Sequence, residues 1–277
     1  MHFDGTIRVG AAQINPTLAD LSGNMALHLD ALAEGRARGL DLLVFPELSL
    51  TGYNLQHRVM TVAMTRHDPR LLELAAASGP MQSLVGFVEA AGPGEYYNAL
   101  ATLHEGQVAH VHRKINLPTY GGLEEGKWFT PGESISLTPL TPDWLMSQWL
   151  CADLWNPGLV HAAMMHRPTL LCAAINSASG IVSDRFSNEH NWHLNLSFYA
   201  MTYGIPVIMA NRFGPEGSQH FWGGSCIVSP TGKMLAQAEA QCTLIQAELR
   251  LEDIAQARFD LPTQRDGNNR LVQSLLP

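Results

Sequence analysis

Short apolar runs alternate with stretches of helical spacing from one end of the chain to the other. TIRVGAAQI (6–14) predicts a strand, and Asn24 to Arg38 predicts a helix with Leu27, Leu29, Leu32 and Ala33 on its apolar face. LDLLVFPE (40–47) reads as a buried strand closed by a proline and a carboxylate. Residues 57–76 are expected to be helical. SLVGFVEA (83–90) and YNALATLH (97–104) predict strands joined by a turn at Gly92-Pro93-Gly94, and QVAHVHR (107–113) a further strand. MSQWLC (146–151), PTLLCAAIN (168–176), IPVIMAN (205–211), SCIVSP (225–230) and TLIQAEL (243–249) complete the strands. Helices are expected from Leu159 to His166 and over 187–204.

Continuous runs such as LLVF and PVIM suit strands buried on both faces, which need helices to cover them. The expected fold is α/β, a sandwich-like arrangement of sheets covered by helices, in a single domain spanning 1–277. The segment 114–134 carries Pro118, Gly121, Gly122, Gly126, Pro131 and Gly132 and reads as a long loop. Loops of that length in a compact domain are more often functional than not.

Composition narrows the classes. Hydrophobic residues make up 46% and charged residues 15% of 277, enough apolar surface for a large core. A formal net charge of -8 disfavours nucleic acid and anionic membrane surfaces as partners. The start MHFDGTIRVGAAQINP lacks the basic and apolar regions of a secretory signal, and no stretch reaches bilayer length, so a cytoplasmic protein is expected. Cys151, Cys172, Cys226 and Cys242 form no CxxC pair and read as free thiols. His110 and His112 share a strand face, and His161 and His166 follow Cys151, but no HExxH or comparable cluster supplies a metal ligand set. Neither metal nor organic cofactor is expected.

Five residues stand out chemically. Glu47 ends a buried strand, where desolvation raises a carboxylate's pKa and suits it to general base work; position alone also fits an ordinary charged strand end. Lys114 opens the long loop, and a lysine there is either a surface charge or a stabiliser of an oxyanion. Cys151 stands where a strand meets a turn before Ala152-Asp153-Leu154-Trp155-Asn156-Pro157, a geometry that exposes a nucleophile; a core cysteine is the plainer alternative. Glu124 and Glu125 are a solvated loop pair or carboxylates that assist a thiol.

Together and in this order the motifs resemble the nitrilase superfamily of carbon–nitrogen hydrolases. The similarity begins at AAQIN (11–15) and continues through FPELSLTGY (45–53), the run from Tyr97 to Gly132 containing RKINLP, and LCADLWNP (150–157). INSAS, IPVIMANRFG and WGGSCIVSPTGKML carry it over 175–235, so it covers nearly the whole chain. The resemblance implies a four-layer αββα sandwich and a Glu–Lys–Cys triad with a second glutamate. By motif, Glu47 corresponds to the general base, Lys114 to the lysine, Cys151 to the nucleophile and Glu125, four residues before Phe129, to the second glutamate. Asn176 and Arg212 fall where the family lines or supports its pocket, and the backbone N–H of Ala152 is where an oxyanion is held.

CxDLW, with FWGGS (221–225) later, is most similar to the glutaminase part of glutamine-dependent NAD synthetases. No synthetase segment or nucleotide loop is present, so the expectation is a stand-alone amidase. Its substrate is a small-molecule amide, with a nitrile as the alternative and a non-catalytic scaffold disfavoured by the intact motifs. The resemblance also implies a homodimer or larger homo-oligomer. Tyr53, Tyr120 and Trp155 are the substrate-binding candidates on the variable loops, with His190, Trp192 and Phe221 behind them.

Overall fold

Alternate residues along each central strand serve two different hydrophobic layers, and this fixes the architecture. The computed structural model describes residues 5–275, so the first four residues of the stretch read as lacking a secretory signal lie outside it. The first half of the chain supplies β1 (Thr6–Gln13), β2 (Leu42–Val44), β3 (Gln82–Gly92), β4 (Glu95–His104) and β5 (Gln107–Arg113). The second supplies β6 (Ser136–Pro139), β7 (Leu145–Leu150), β8 (Leu170–Ile175), β9 (Val207–Asn211), β10 (Phe213–Glu216), β11 (Gln219–Trp222), β12 (Cys226–Val228), β13 (Met234–Gln237) and β14 (Thr243–Arg250).

Two six-stranded sheets result, in the orders β14-β1-β2-β3-β4-β5 and β13-β12-β9-β8-β7-β6. Each has a parallel centre, β1-β2-β3 or β7-β8-β9, flanked by antiparallel strands. Leu42 and Val44 of β2 and Leu170, Cys172 and Ala174 of β8 meet in the layer between the sheets. Leu43 faces outward to the helices α1 (Leu21–Ala37) and, beyond the short α2 (Val59–Val62), α3 (Pro69–Ser78), where Leu32, Leu71 and Leu74 pack on it. Leu171, Ala173 and Ile175 face outward to α4 (Pro157–Met164) and α5 (Asn188–Tyr203), against Val160, Trp192 and Leu196. The expected αββα sandwich is what these layers form.

The predicted helix over 57–76 is divided. A turn over Gln56–Arg58 and α2 come first; then Ala63 is extended and Met64 N–H donates to Val88 O at 2.9 Å. Pro69 forces the break, because the residue before a proline avoids the helical region, and Asp68 caps α3 by accepting from Arg70 N at 3.0 Å. The strand predicted over 40–47 is regular only for Leu42–Val44, since Pro46 has no N–H to give a ladder. The predicted strand 146–151 stops at Leu150, and Cys151 begins a 3-10 turn, Cys151–Trp155. The pattern also passed over β6, the β10–β11 hairpin, β13 and the helix α6 (Leu251–Asp260), all short or half exposed.

Candidate active site

The chemistry collects at one end of the two sheets because five strands end there. β2 runs into Phe45-Pro46-Glu47, β5 into Lys114, β7 into Cys151, β8 into Asn176 and β9 into Arg212. Glu47 belongs to one sheet and is tied to the other: its N–H donates to Ile175 O at 3.2 Å, and its carbonyl accepts from Asn176 Nδ2 at 2.9 Å. The turn after it lies directly on β3. A Cβ on Gly86 would sit 2.4 Å from Leu48 N and 2.5 Å from Pro46 O, so only glycine lets the Glu47 turn approach this closely.

Glu47 and Lys114 are fully buried and Glu125 nearly so. Lys114 Nζ donates to Glu47 Oε1 and to Glu125 Oε1, each at 2.6 Å. Asn98 Nδ2 donates to Glu47 Oε1 at 2.8 Å and Glu125 Oε2 at 3.3 Å, and Tyr53 OH donates to Glu125. Glu47 Oε2 is left buried without a hydrogen-bond partner, a free acceptor within the cluster. Burial is the largest influence on Glu47 and, with Glu125 opposing and Lys114 favouring ionisation, places its pKa at about 7. Burial alone would lower Lys114, but Glu125 and Glu47 outweigh it and hold the ammonium charged. The Cys151 thiol is pushed well above its ordinary value, by burial first and by the Glu47 charge second, so it rests protonated.

Cys151 adopts φ +40°, in the left-handed region that costs a non-glycine residue about 1–3 kcal/mol and recurs at functional turns. Asp153, fully buried two residues on, holds the turn. Its Oδ1 accepts from Ile115 N at 3.0 Å, Asn116 N at 2.7 Å and Asn116 Nδ2 at 3.2 Å, while Oδ2 lies 3.5 Å from His112 Nε2. The turn carrying Cys151 is thereby tied to the segment that follows Lys114. Asn156 and Pro157 then cap and begin α4.

Cys151 opens into a cavity of about 210 Å³. Tyr53, Tyr120, Ala152, Trp155 and Asn176 all line it, as do Trp192 and Phe186. Arg212 does not. It is buried, pairs with Glu216 and stacks 4.6 Å from the Phe221 ring, whose edge meets Tyr53 with centroids 6.2 Å apart. Glu216 also accepts from Tyr53 N at 3.1 Å, so Arg212 and Phe221 support Tyr53 from behind. His190 is exposed and outside the lining. Glu124 is exposed beside Lys127, which leaves Glu125 as the glutamate of the cluster. Sequence reasoning passed over Asn98 and Asp153; each stands inside a quoted motif, and being buried and polar was the only signal available. A second cavity of about 330 Å³ lies beyond Tyr53 and Glu125 and does not include Cys151. Among the described residues, no group of three or more His, Cys, Asp or Glu is placed to hold a metal ion, and no helix is long and apolar enough to cross a membrane.

The sequence profile of the carbon–nitrogen hydrolases matches residues 8–259. The chain belongs to the carbon–nitrogen hydrolase family. Within that family it is 31% identical over 232 residues to the glutamine-dependent NAD(+) synthetase of Thermotoga maritima, covering 83% of this chain and 39% of that protein. The chain thus spans less than half the length of that relative. It is 24% identical over 275 residues to the N-carbamoylputrescine amidase of Arabidopsis thaliana, covering 93% of this chain and 91% of that one. Among solved structures, a mutant amidase from Nesterenkonia sp. AN1 superposes with a TM-score of 0.80 at 25% identity, over 98% of this chain and 97% of that one. That crystal shows the acetamide moiety of fluoroacetamide added covalently at its active-site cysteine. A carbon–nitrogen hydrolase from Helicobacter pylori G27 shares the fold with a TM-score of 0.83 at 21% identity.

Proposed function

We propose that this carbon–nitrogen hydrolase cleaves the C–N bond of a small amide through a thioester on Cys151, releasing ammonia or an amine. One observation carries the reading: a buried ammonium, Lys114, held between the carboxylates Glu47 and Glu125 beside a thiol on a left-handed turn at a cavity floor. A burial this costly is retained where it positions charge for a reaction. The Nesterenkonia amidase, matched over nearly its whole length, supports an amide as the substrate and a cysteine as its point of attachment.

The steps follow from the protonation states. The amide carbonyl enters over Cys151, and Glu47 takes the thiol proton as Sγ attacks the carbonyl carbon. The developing oxyanion is met by the Lys114 ammonium and the backbone N–H of Ala152. Glu47, now protonated, gives its proton to the leaving nitrogen, the C–N bond breaks, and the thioester remains. Water, deprotonated by Glu47, attacks the thioester; the carboxylic acid leaves and the thiol is restored. Glu125 keeps Lys114 in place and faces the departing nitrogen or the incoming water. A Glu47 pKa of about 7 suits both directions of transfer near neutral pH.

The test measures ammonia release over a panel of amides and nitriles, with intact-protein mass after brief incubation. The parent is expected to turn over amides and to show an acyl adduct on Cys151. Equal activity of the parent and Cys151→Ala would sink the mechanism.

A further inference from the structure

The geometry points to an uncharged, apolar acyl group as what the Cys151 cavity selects, with free glutamine rejected although glutamine-dependent synthetases are among the relatives. This rests on the amidase reading above and names its substrate class.

The wall of the cavity is aromatic. Trp155 meets Trp192 edge to face with centroids 4.9 Å apart, and meets Phe186 at 5.8 Å. Leu123, Ile181 and Val182 extend it, Ser177 and Asn188 add polar positions, and none of the lining residues is Lys, Arg, Asp or Glu. At about 210 Å³ the space falls below the roughly 300–1,000 Å³ of sites for drug-sized ligands and suits a small amide.

A glutamine molecule brings an α-ammonium and an α-carboxylate. Nothing on the wall neutralises either. The charges behind Cys151 are two carboxylates and one ammonium, and that ammonium is already bonded to both carboxylates. Two polar groups of the lining are left over, Asn176 Oδ1 and Asn188 Oδ1, each oriented because its Nδ2 donates elsewhere, to Glu47 O and to Ser177 Oγ. Both are acceptors, which suit an amide N–H and repel a carboxylate. Two features nearby carry positive potential, and neither puts a charged side chain into the lining. The first turn of α5 has Ser187 Oγ accepting from His190 N, and Glu189 beside it. Arg185 is exposed next to Asp184 and lies outside the lining. A charge placed against Trp155, Trp192 and Phe186 loses hydration on that side, and no charged side chain of the lining replaces it.

The experiment compares kcat/KM for butyramide, phenylacetamide, acetamide and L-glutamine by ammonia release. Butyramide is glutamine with its α-amino and α-carboxylate groups replaced by hydrogen, so the pair isolates the two charges. Butyramide and phenylacetamide are each expected to exceed glutamine by at least about 100-fold, the scale on which an unpaired buried charge is penalised. Glutamine turned over as well as or better than butyramide overturns the inference and leaves the amidase reading standing. If none of the four is hydrolysed and Cys151 acquires no acyl mass, the amidase reading fails and takes the inference with it. Trp155→Ala is expected to lower the ratio of phenylacetamide to acetamide kcat/KM about tenfold, as loss of a pocket wall does; an unchanged ratio overturns the role given to the aromatic wall.

Discussion

Glu47→Gln separates the chemical role of this carboxyl group from its cost to the fold. Burial raises its pKa from 4.5 to about 7, so the folded chain holds the proton more tightly than the unfolded chain. Its favourable contribution is therefore complete below about pH 4.5 and is lost as pH rises through about 7. At about 1.36 kcal/mol per pH unit, the whole span amounts to roughly 3 kcal/mol. Between about pH 5.5 and 8.5, roughly 2 kcal/mol of it disappears. Glutamine keeps an acceptor for Lys114 Nζ and Asn98 Nδ2 but does not titrate. Lys114 stays charged over this window, and the slope that the Cys151 thiol adds near its upper end, where the unfolded chain begins to ionise it, is common to parent and variant and cancels in their difference.

The variant is thus expected to gain roughly 2 kcal/mol of stability relative to the parent between those two pH values, whatever its constant offset at the lower one. Urea denaturation of both proteins at a series of pH values reads this directly. Its activity is expected to fall about 10²- to 10⁴-fold, the usual worth of a positioned general base. In the parent, kcat/KM should rise with pH through an inflection near 7, as Glu47 becomes the base. Parallel pH–stability curves for parent and variant would refute the claim that Glu47 is a buried carboxyl with a raised pKa.

Two further substitutions test how the site is held. Asp153→Ala removes the acceptor of Ile115 N and Asn116 N and is expected to cost about 1–3 kcal/mol in urea denaturation and to lower kcat more than it alters KM, with Asp153→Asn restoring most of both; an Ala variant with parental kcat would remove the link between the Cys151 turn and the Lys114 segment. Gly86→Ala places a Cβ within 2.8 Å of three backbone atoms of residues 46–48 and is expected to destabilise by about 1–3 kcal/mol while displacing Glu47, so a parental thermal midpoint with parental activity would show that the close approach is not needed.

The parallel strands were legible because both faces of them are buried, which writes them as unbroken apolar runs such as LLVF and LLCAAI. The strands passed over lie near the sheet edges or in the β10–β11 hairpin, where β13 alternates half-buried with exposed and β6 is only four residues long. Helix 57–76 was misread because composition favoured a helix while Asp68-Pro69 carried the break.

The same contrast divides the site. Glu47, Lys114 and Cys151 each follow the end of a strand, so the chain's own periodicity marks where they stand, and motif order then brings them together. The cavity wall has no such marker. Trp155 comes from the turn after β7, Phe186 from the segment leading into α5 and Trp192 from α5 itself, and in sequence each is indistinguishable from the aromatic residues that fill the core. Trp144 and Trp149, just before and within β7, are buried as deeply as Trp192 and line nothing around Cys151. What makes Trp155 and Trp192 a wall is their contact with each other across two elements, a relation that exists only once α5 has packed on the second sheet. The bond to be broken is therefore written in local sequence, and the group attached to it is written in the packing of helices on sheets.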